Sequence, residues 1–185
     1  MTENRLAYFG LQKNHVRVFI LLCCVMGVLL LGIGLVDKNF KPVDESFPPL
    51  ALANRAGDPV DLATVYQGKT LLVNYWATWC PPCLSEIPSL LALKAKKQGT
   101  DFDVVFISLD FPENPEAFDK RLERFKLADL DTLYMADSSQ FPLIGGQGLP
   151  ITVLVGPDMK IKARMAGAIE WDGPAGDEFL KSGGL

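Results

Sequence analysis

The sequence predicts an α/β domain, a mixed β-sheet with helices packed on it, preceded by one transmembrane helix. Three observations predict it. An uncharged apolar run, VFILLCCVMGVLLLGIGLV, occupies 18–36. Beyond it, three β-rich apolar runs have strand length, and the segments between them carry apolar residues at helical spacing. A chain of 185 residues, 49% of them hydrophobic, suits one such domain and excludes collagen-like, coiled-coil and disordered classes.

The first element is the apolar run. Its length is close to the roughly 20 residues a helix needs to cross a bilayer core. A soluble helix is rarely apolar around its whole circumference. Arg5, Lys13 and Arg17 precede it against Glu3 alone. Positive charge stays inside, so 1–17 is expected as a cytoplasmic tail and everything after Val36 outside. A cleaved signal peptide is the rival reading, and Gly32-Ile33-Gly34 imitates a cleavage site. The run is long for a signal peptide's apolar core, so its length favours an uncleaved signal-anchor. Cys23 and Cys24 lie within the run and read as small hydrophobes, and His15, the single histidine, lies in the tail.

Residues 37–46 are polar and read as a linker, with the domain from 47 to 185. Thr70–Trp76 is suited to a central strand, Phe102–Leu109 to a second and Ile151–Val155 to a third. Between the first two, Pro81–Gln98 presents Leu84, Ile87, Leu90 and Leu91 as one helical face, with Lys94, Lys96 and Lys97 near its end, where cations suit the helix dipole. Between the second and third, Asn114–Leu127 carries Phe118, Leu122 and Phe125 at helical spacing. Gly156-Pro157-Asp158 turns the chain into Met159–Met165, a hairpin. The order strand, helix, strand, helix, hairpin implies a mixed sheet.

Charge removes one function class. The net charge is −4, and beyond Val36 the chain holds 15 Lys and Arg against 21 Asp and Glu. Such a surface repels nucleic acid and anionic lipid, so no nucleic-acid partner is expected.

Two cysteines lie beyond the apolar run, Cys80 and Cys83, in Trp79-Cys80-Pro81-Pro82-Cys83, where a strand runs into a helix. Cys80 falls at the helix N-cap, where unpaired N–H groups and the macrodipole favour a thiolate. Pro81 fits the first helical position, where an N–H has no helical partner. A thiolate so placed attacks a disulfide to form a mixed disulfide, which a second thiol three residues on resolves. A structural zinc site needs about four ligands, more than two cysteines without histidine supply. A cysteine hydrolase lacks its histidine. A Cu(I) site built from the two thiolates stays open.

The string Val73-Asn74-Tyr75-Trp76-Ala77-Thr78-Trp79-Cys80-Pro81-Pro82-Cys83, followed by Glu86-Ile87-Pro88, resembles the active-site region of the membrane-anchored thioredoxin-like thiol–disulfide oxidoreductases, the TlpA/ResA/CcmG (DsbE) group. The resemblance runs from about Phe47 to Leu180. It implies a thioredoxin-like fold with an N-terminal β-hairpin extension and a central insertion within Asp110–Gln140. It implies Cys80 as nucleophile, Cys83 as resolving partner, and a redox-active Cys80–Cys83 disulfide. Trp79, Pro81 and Pro82 would contact substrate. Leu149 and Pro150 would form the cis-proline loop facing the cysteines; without the resemblance, Pro150 reads equally as a trans proline at a strand start. Asn74 stands where cytosolic thioredoxins have a buried Asp. That leaves Glu86 to exchange the proton of Cys83, or to serve only as a partner of the helix dipole. Trp76 and Tyr75 read as packing residues and Asp110 as a cap or turn residue.

The expectation is a single-pass protein of the bacterial inner membrane, its domain facing the periplasm or outer side, that reduces disulfides of exported proteins without a cofactor or metal. Its electron donor would be a membrane thiol reductant of the DsbD/CcdA kind. Its substrate would be an oxidised exported protein such as apocytochrome c or a copper-site protein. The alternative from another class is a copper-binding or substrate-holding module without turnover. A peroxiredoxin-type peroxidase would want Thr three residues before its cysteine, and Ala77 stands there.

Overall fold

The computed structural model describes residues 40–110 and 115–185, and the expected tail and membrane span lie outside them. Among the described residues no helix is long and apolar enough to cross a membrane. Asn39–Leu185 forms one compact unit.

The elements, in chain order, are β1 (Phe40–Ser46), β2 (Leu52–Ala53), β3 (Pro59–Val60), α1 (Leu62–Val65), β4 (Thr70–Trp76), α2 (Pro81–Lys96), β5 (Phe102–Ser108), α3 (Pro115–Arg124), β6 (Thr132–Met135), a 3₁₀ helix (Ser138–Ile144), β7 (Ile151–Val155), β8 (Lys160–Ala166) and α4 (Pro174–Ser182). The strands form one sheet in the order β1-β8-β7-β4-β5-β6-β2-β3. β4, β5 and β6 are parallel, each joined to the next by a helix. β7, β8 and β1 add to the β4 side antiparallel, so the sheet is mixed as expected.

β4 is central, and its residues from Leu71 to Trp76 are buried. Alternation sorts its side chains between two cores. Leu72 and Trp76 join Val104, Phe106 and Leu154 under Ile87, Leu90 and Leu93 of α2, Phe118 and Leu122 of α3, and Phe179 of α4. Leu71, Val73 and Tyr75 join Val105, Ile107 and Val153 on the other face, under Leu62 and Ile144. The pairing slips by one residue between Leu154 and Val155, which sends Ile161 to the second core and Ala163 to the first.

Two helical faces differ from the periodic reading. On α2, Leu93 is buried and Leu91 is exposed. On α3 the helix ends at Arg124, so Phe125 falls outside it and is 37% exposed. The hairpin after β7 starts one residue later than expected. Met159 occupies the turn with φ of 55°, and Gly156 and Lys160 close it by backbone bonds.

The linker reading is corrected. Residues 40–46 are strand β1, paired antiparallel with β8. Asp44 is bridged to Lys160 and Lys162, Glu45 to Arg164, and Phe47 N–H donates to Met159 O. An edge strand has one neighbour and one open side, so it tolerates the charges and proline of a linker. Composition alone does not separate the two. The hairpin extension expected from the resemblance is β2 with β3, Leu52 opposite Val60, lying beyond β6 at the other edge. The stretch marked as a central insertion holds α3 and β6.

Candidate active site

β4 delivers the chain to the site. Leu109 N–H donates to Trp76 O at 2.8 Å, carrying the β4–β5 pairing one step past β5. The chain then turns through Ala77–Cys80, closed by Cys80 N–H donating to Ala77 O at 3.1 Å. Cys80 is extended, with φ of −107°, and its Sγ accepts from Cys83 N–H at 3.3 Å, so the sulfur is the N-cap of α2. Pro81 and Pro82 open the helix as expected.

Cys80 and Cys83 are joined in a disulfide. Cys80 is 5% exposed and Cys83 fully buried, whereas Trp79 beside them is 66% exposed. Tyr75 and Trp76 are fully buried packing residues, and Trp76 Nε1 donates to Thr132 Oγ1 at 3.1 Å. The Leu149–Pro150 bond is cis. β7 pairs with β4 so that Ile151 lies opposite Tyr75, which brings Pro150 to the end of β4 from which the dithiol turn departs. Leu149 packs against the core cluster that contains both cysteines.

Glu86 is held away from solvent, at 3% exposure. Its Oε1 accepts from Asn74 Nδ2 at 2.7 Å; its Oε2 accepts from Trp171 Nε1 at 2.9 Å and from Ile169 N–H at 3.4 Å. Burial pushes its pKa up, and the hydrogen bonds from Trp171, Asn74 and Ile169 oppose the rise. The reading of Glu86 as a dipole partner fails, because it sits beyond the first turn and is spent on these donors. A buried carboxylate of raised pKa, one turn from Cys83, is suited to exchange a proton.

Sequence reasoning missed Trp171, Thr152 and Ser89. Asn74 Nδ2 also donates to Thr152 Oγ1 at 2.9 Å, and Trp171 N–H donates to Ser89 Oγ at 3.1 Å. Thr152 comes from β7 and Trp171 from the loop after β8, both far from the dithiol in sequence, whereas Ser89 lies on α2 itself. Asp110 is also more than a cap: it accepts bonds from Thr78 inside the dithiol turn. Among the described residues no group of three or more His, Cys, Asp or Glu is placed to hold a metal ion.

A family model described as Redoxin matches residues 42–173. The chain belongs to the redoxin family. Across nearly its whole length this redoxin is similar to the thiol–disulfide oxidoreductase ResA of Bacillus cereus, at 26% identity over 90% of this chain and 91% of that protein. It is 29% identical to the thiol:disulfide interchange protein HelX of Rhodobacter capsulatus, over 78% of this chain and 86% of that one. Among solved structures, a thiol–disulfide oxidoreductase of Bacteroides fragilis superposes with a TM-score of 0.59 at 26% identity, covering 74% of this chain and 98% of that one. The fold is shared with a DsbE-type protein of Chlorobium tepidum, TM-score 0.63 at 24% identity, covering 76% and 96%. This redoxin is a thioredoxin-like thiol–disulfide oxidoreductase, and its Cys80–Cys83 pair has the CXXC form that the activity requires.

Proposed function

We propose that this redoxin is a membrane-tethered reductant of disulfides in exported proteins, working through Cys80 and Cys83. The observation that carries the roles is the difference between the sulfurs. Cys80 caps α2 and keeps a small exposure, 5%, beside the exposed Trp79, whereas Cys83 is fully buried. The Cys80 thiolate attacks one sulfur of a substrate disulfide, forming a mixed disulfide and expelling the other sulfur as a thiolate. The Cys83 thiolate then attacks Cys80 Sγ, which closes the Cys80–Cys83 disulfide and releases the second substrate thiolate. Two electrons pass to the substrate, and the proton given up by Cys83 goes to Glu86. A membrane thiol carrier of the DsbD/CcdA kind returns the electrons.

The tether reading is supported by the apolar run 18–36 and its flanking charges, and implies a bacterial inner membrane with the domain outside. The relatives named as oxidoreductase and interchange protein support a protein substrate, and an exported protein such as apocytochrome c or a copper-site protein fits that location.

The test is to equilibrate the protein in graded dithiol buffers and count thiols by mass. A potential near −270 mV, roughly thioredoxin's, marks a reductant, and one near −120 mV would mark an oxidant. In cells, Cys83→Ser is expected to accumulate mixed disulfides and Cys80→Ser to form none. Trapped partners in the Cys80 variant instead would reverse the assigned roles.

A further inference from the structure

The turn Ala77–Cys80 carries the attacking sulfur, and it is anchored from the end of β5. Asp110 Oδ2 accepts from Thr78 N–H at 2.7 Å, and Asp110 Oδ1 accepts from Thr78 Oγ1 at 2.7 Å. Ser108 Oγ donates to Oδ2 at 2.9 Å and accepts from Asp110 N–H at 3.0 Å, which fixes the direction of the carboxylate. Asp110 is 5% exposed, and Arg121 Nη2 of α3 lies 3.9 Å from Oδ1. Three donors converge on an acceptor-only group, and bonds to a charged acceptor are about twice as strong as neutral ones. Thr78 is thereby pinned through its main chain and its side chain together, two residues ahead of Cys80.

We propose that Asp110 is a positioning residue for Cys80 and that its buried charge, offset by Arg121, sets how readily the Cys80 thiolate forms. The two effects act in opposite directions. Holding Thr78 places the sulfur, whereas a buried negative charge this close disfavours a second one. On α2 itself the buried acidic group is Glu86, and the exposed Glu170 and Asp172 flank Trp171, its hydrogen-bond donor on the loop after β8. The α2 dipole favours the thiolate, and Asp110 opposes it. A thiolate held less stable disfavours the reduced form, which biases the couple toward donating electrons. That is the direction of the function proposed above, and the inference rests on Cys80 being the attacking cysteine.

The experiment alkylates the reduced full-length protein with iodoacetamide across pH, locating the adduct by mass spectrometry. Two quantities are read at Cys80: the pH midpoint, which reports charge, and the limiting rate above it, which reports position. Asp110→Asn keeps the shape and removes the charge. Its midpoint is expected to fall by about one pH unit, a tenfold gain in thiolate fraction below the midpoint. Arg121→Gln leaves the carboxylate uncompensated, and its midpoint is expected to rise. Asp110→Ala removes the anchor, so the limiting rate of exchange with a model disulfide is expected to drop several-fold and to recover with Asn. Equal midpoints in the wild type and Asp110→Asn, or shifts of the same sign in Asp110→Asn and Arg121→Gln, would overturn the inference. If Asp110→Ala does not fold, the two charge variants still decide it. Alkylation of Cys83 ahead of Cys80 in the wild type would instead overturn the assignment of the nucleophile, and this inference with it.

Discussion

Trp171 Nε1 and Glu86 Oε2 are hydrogen-bonded at 2.9 Å between a fully buried indole and a carboxylate that is 3% exposed. The bond joins the loop after β8 to the helix that carries both cysteines. It holds a carboxylate inside a hydrophobic cluster, where an unpaired charge would not be tolerated. The same indole packs edge-on against Phe179 of α4, so the site's carboxylate is braced by the last helix of the fold.

Glu86 makes stability depend on pH. Its folded pKa is raised above the ordinary 4.5, so the folded state binds the proton more tightly than the unfolded state. The stabilising contribution is fully present below about pH 4.5 and is lost as pH rises through the folded value. Glu86→Gln removes the term, and its stability relative to the wild type is expected to grow across that window and level off above it. Asn74 Oδ1, buried without a hydrogen-bond partner among the described residues, can accept from the new amide after rotating. Urea unfolding over a pH series measures the difference. A relative stability that is flat with pH would show that Glu86 is not buried as a charge.

Asn74→Asp places a second carboxylate beside Glu86 and deletes the donor to both Glu86 and Thr152. Two anions sharing one buried site force one of them to stay protonated. The variant is expected to lose about 2–4 kcal/mol near neutral pH and less in acid. Denaturant midpoints at two pH values check it, and an equal loss at both would remove charge repulsion as the cause.

Gly176 lies in the first turn of α4, and a Cβ there would run into the backbone of Trp171. Because the obstacle is main chain, it cannot rotate aside. Gly176→Ala is expected to cost about 1–3 kcal/mol by overpacking. Displacement of Trp171 should also weaken its hold on Glu86. Thermal unfolding together with the pH profile of thiol exchange tests both parts.

A fragment of 47–185 lacks β1, and a fragment of 39–185 keeps it. The shorter one exposes β8 as a free edge, and it is expected to unfold at lower denaturant and to aggregate as concentration rises. Equal stability and solubility of the two would return residues 40–46 to the role of a linker.

The central architecture was legible because buried parallel strands and amphipathic helices carry strong local patterns. Thr70–Trp76 and Ile151–Val155 match strands β4 and β7 end to end. The Cys80–Cys83 motif was legible for the same local reason, since a cysteine, two prolines and a cysteine after an apolar strand specify an N-cap and first turn. The edges were not legible. β1 carries Lys41, Pro42, Asp44 and Glu45, β2 and β3 have two residues each, and none leaves a periodic trace long enough to read.

The sequence by itself determined the mixed α/β arrangement, the start of α2 at the cysteines, and the chemistry those cysteines can perform. Each depends on residues within one strand or one helical turn. Only the tertiary structure decided what surrounds the dithiol: Glu86 bonded to Asn74 and Trp171, Asp110 holding Thr78, and Pro150 brought to the end of β4. Those partners lie 12, 85, 32 and more than 60 residues apart in the chain or on different strands. Buried polar groups must find partners wherever packing places them, and packing is set by the register of the whole sheet rather than by neighbours in sequence.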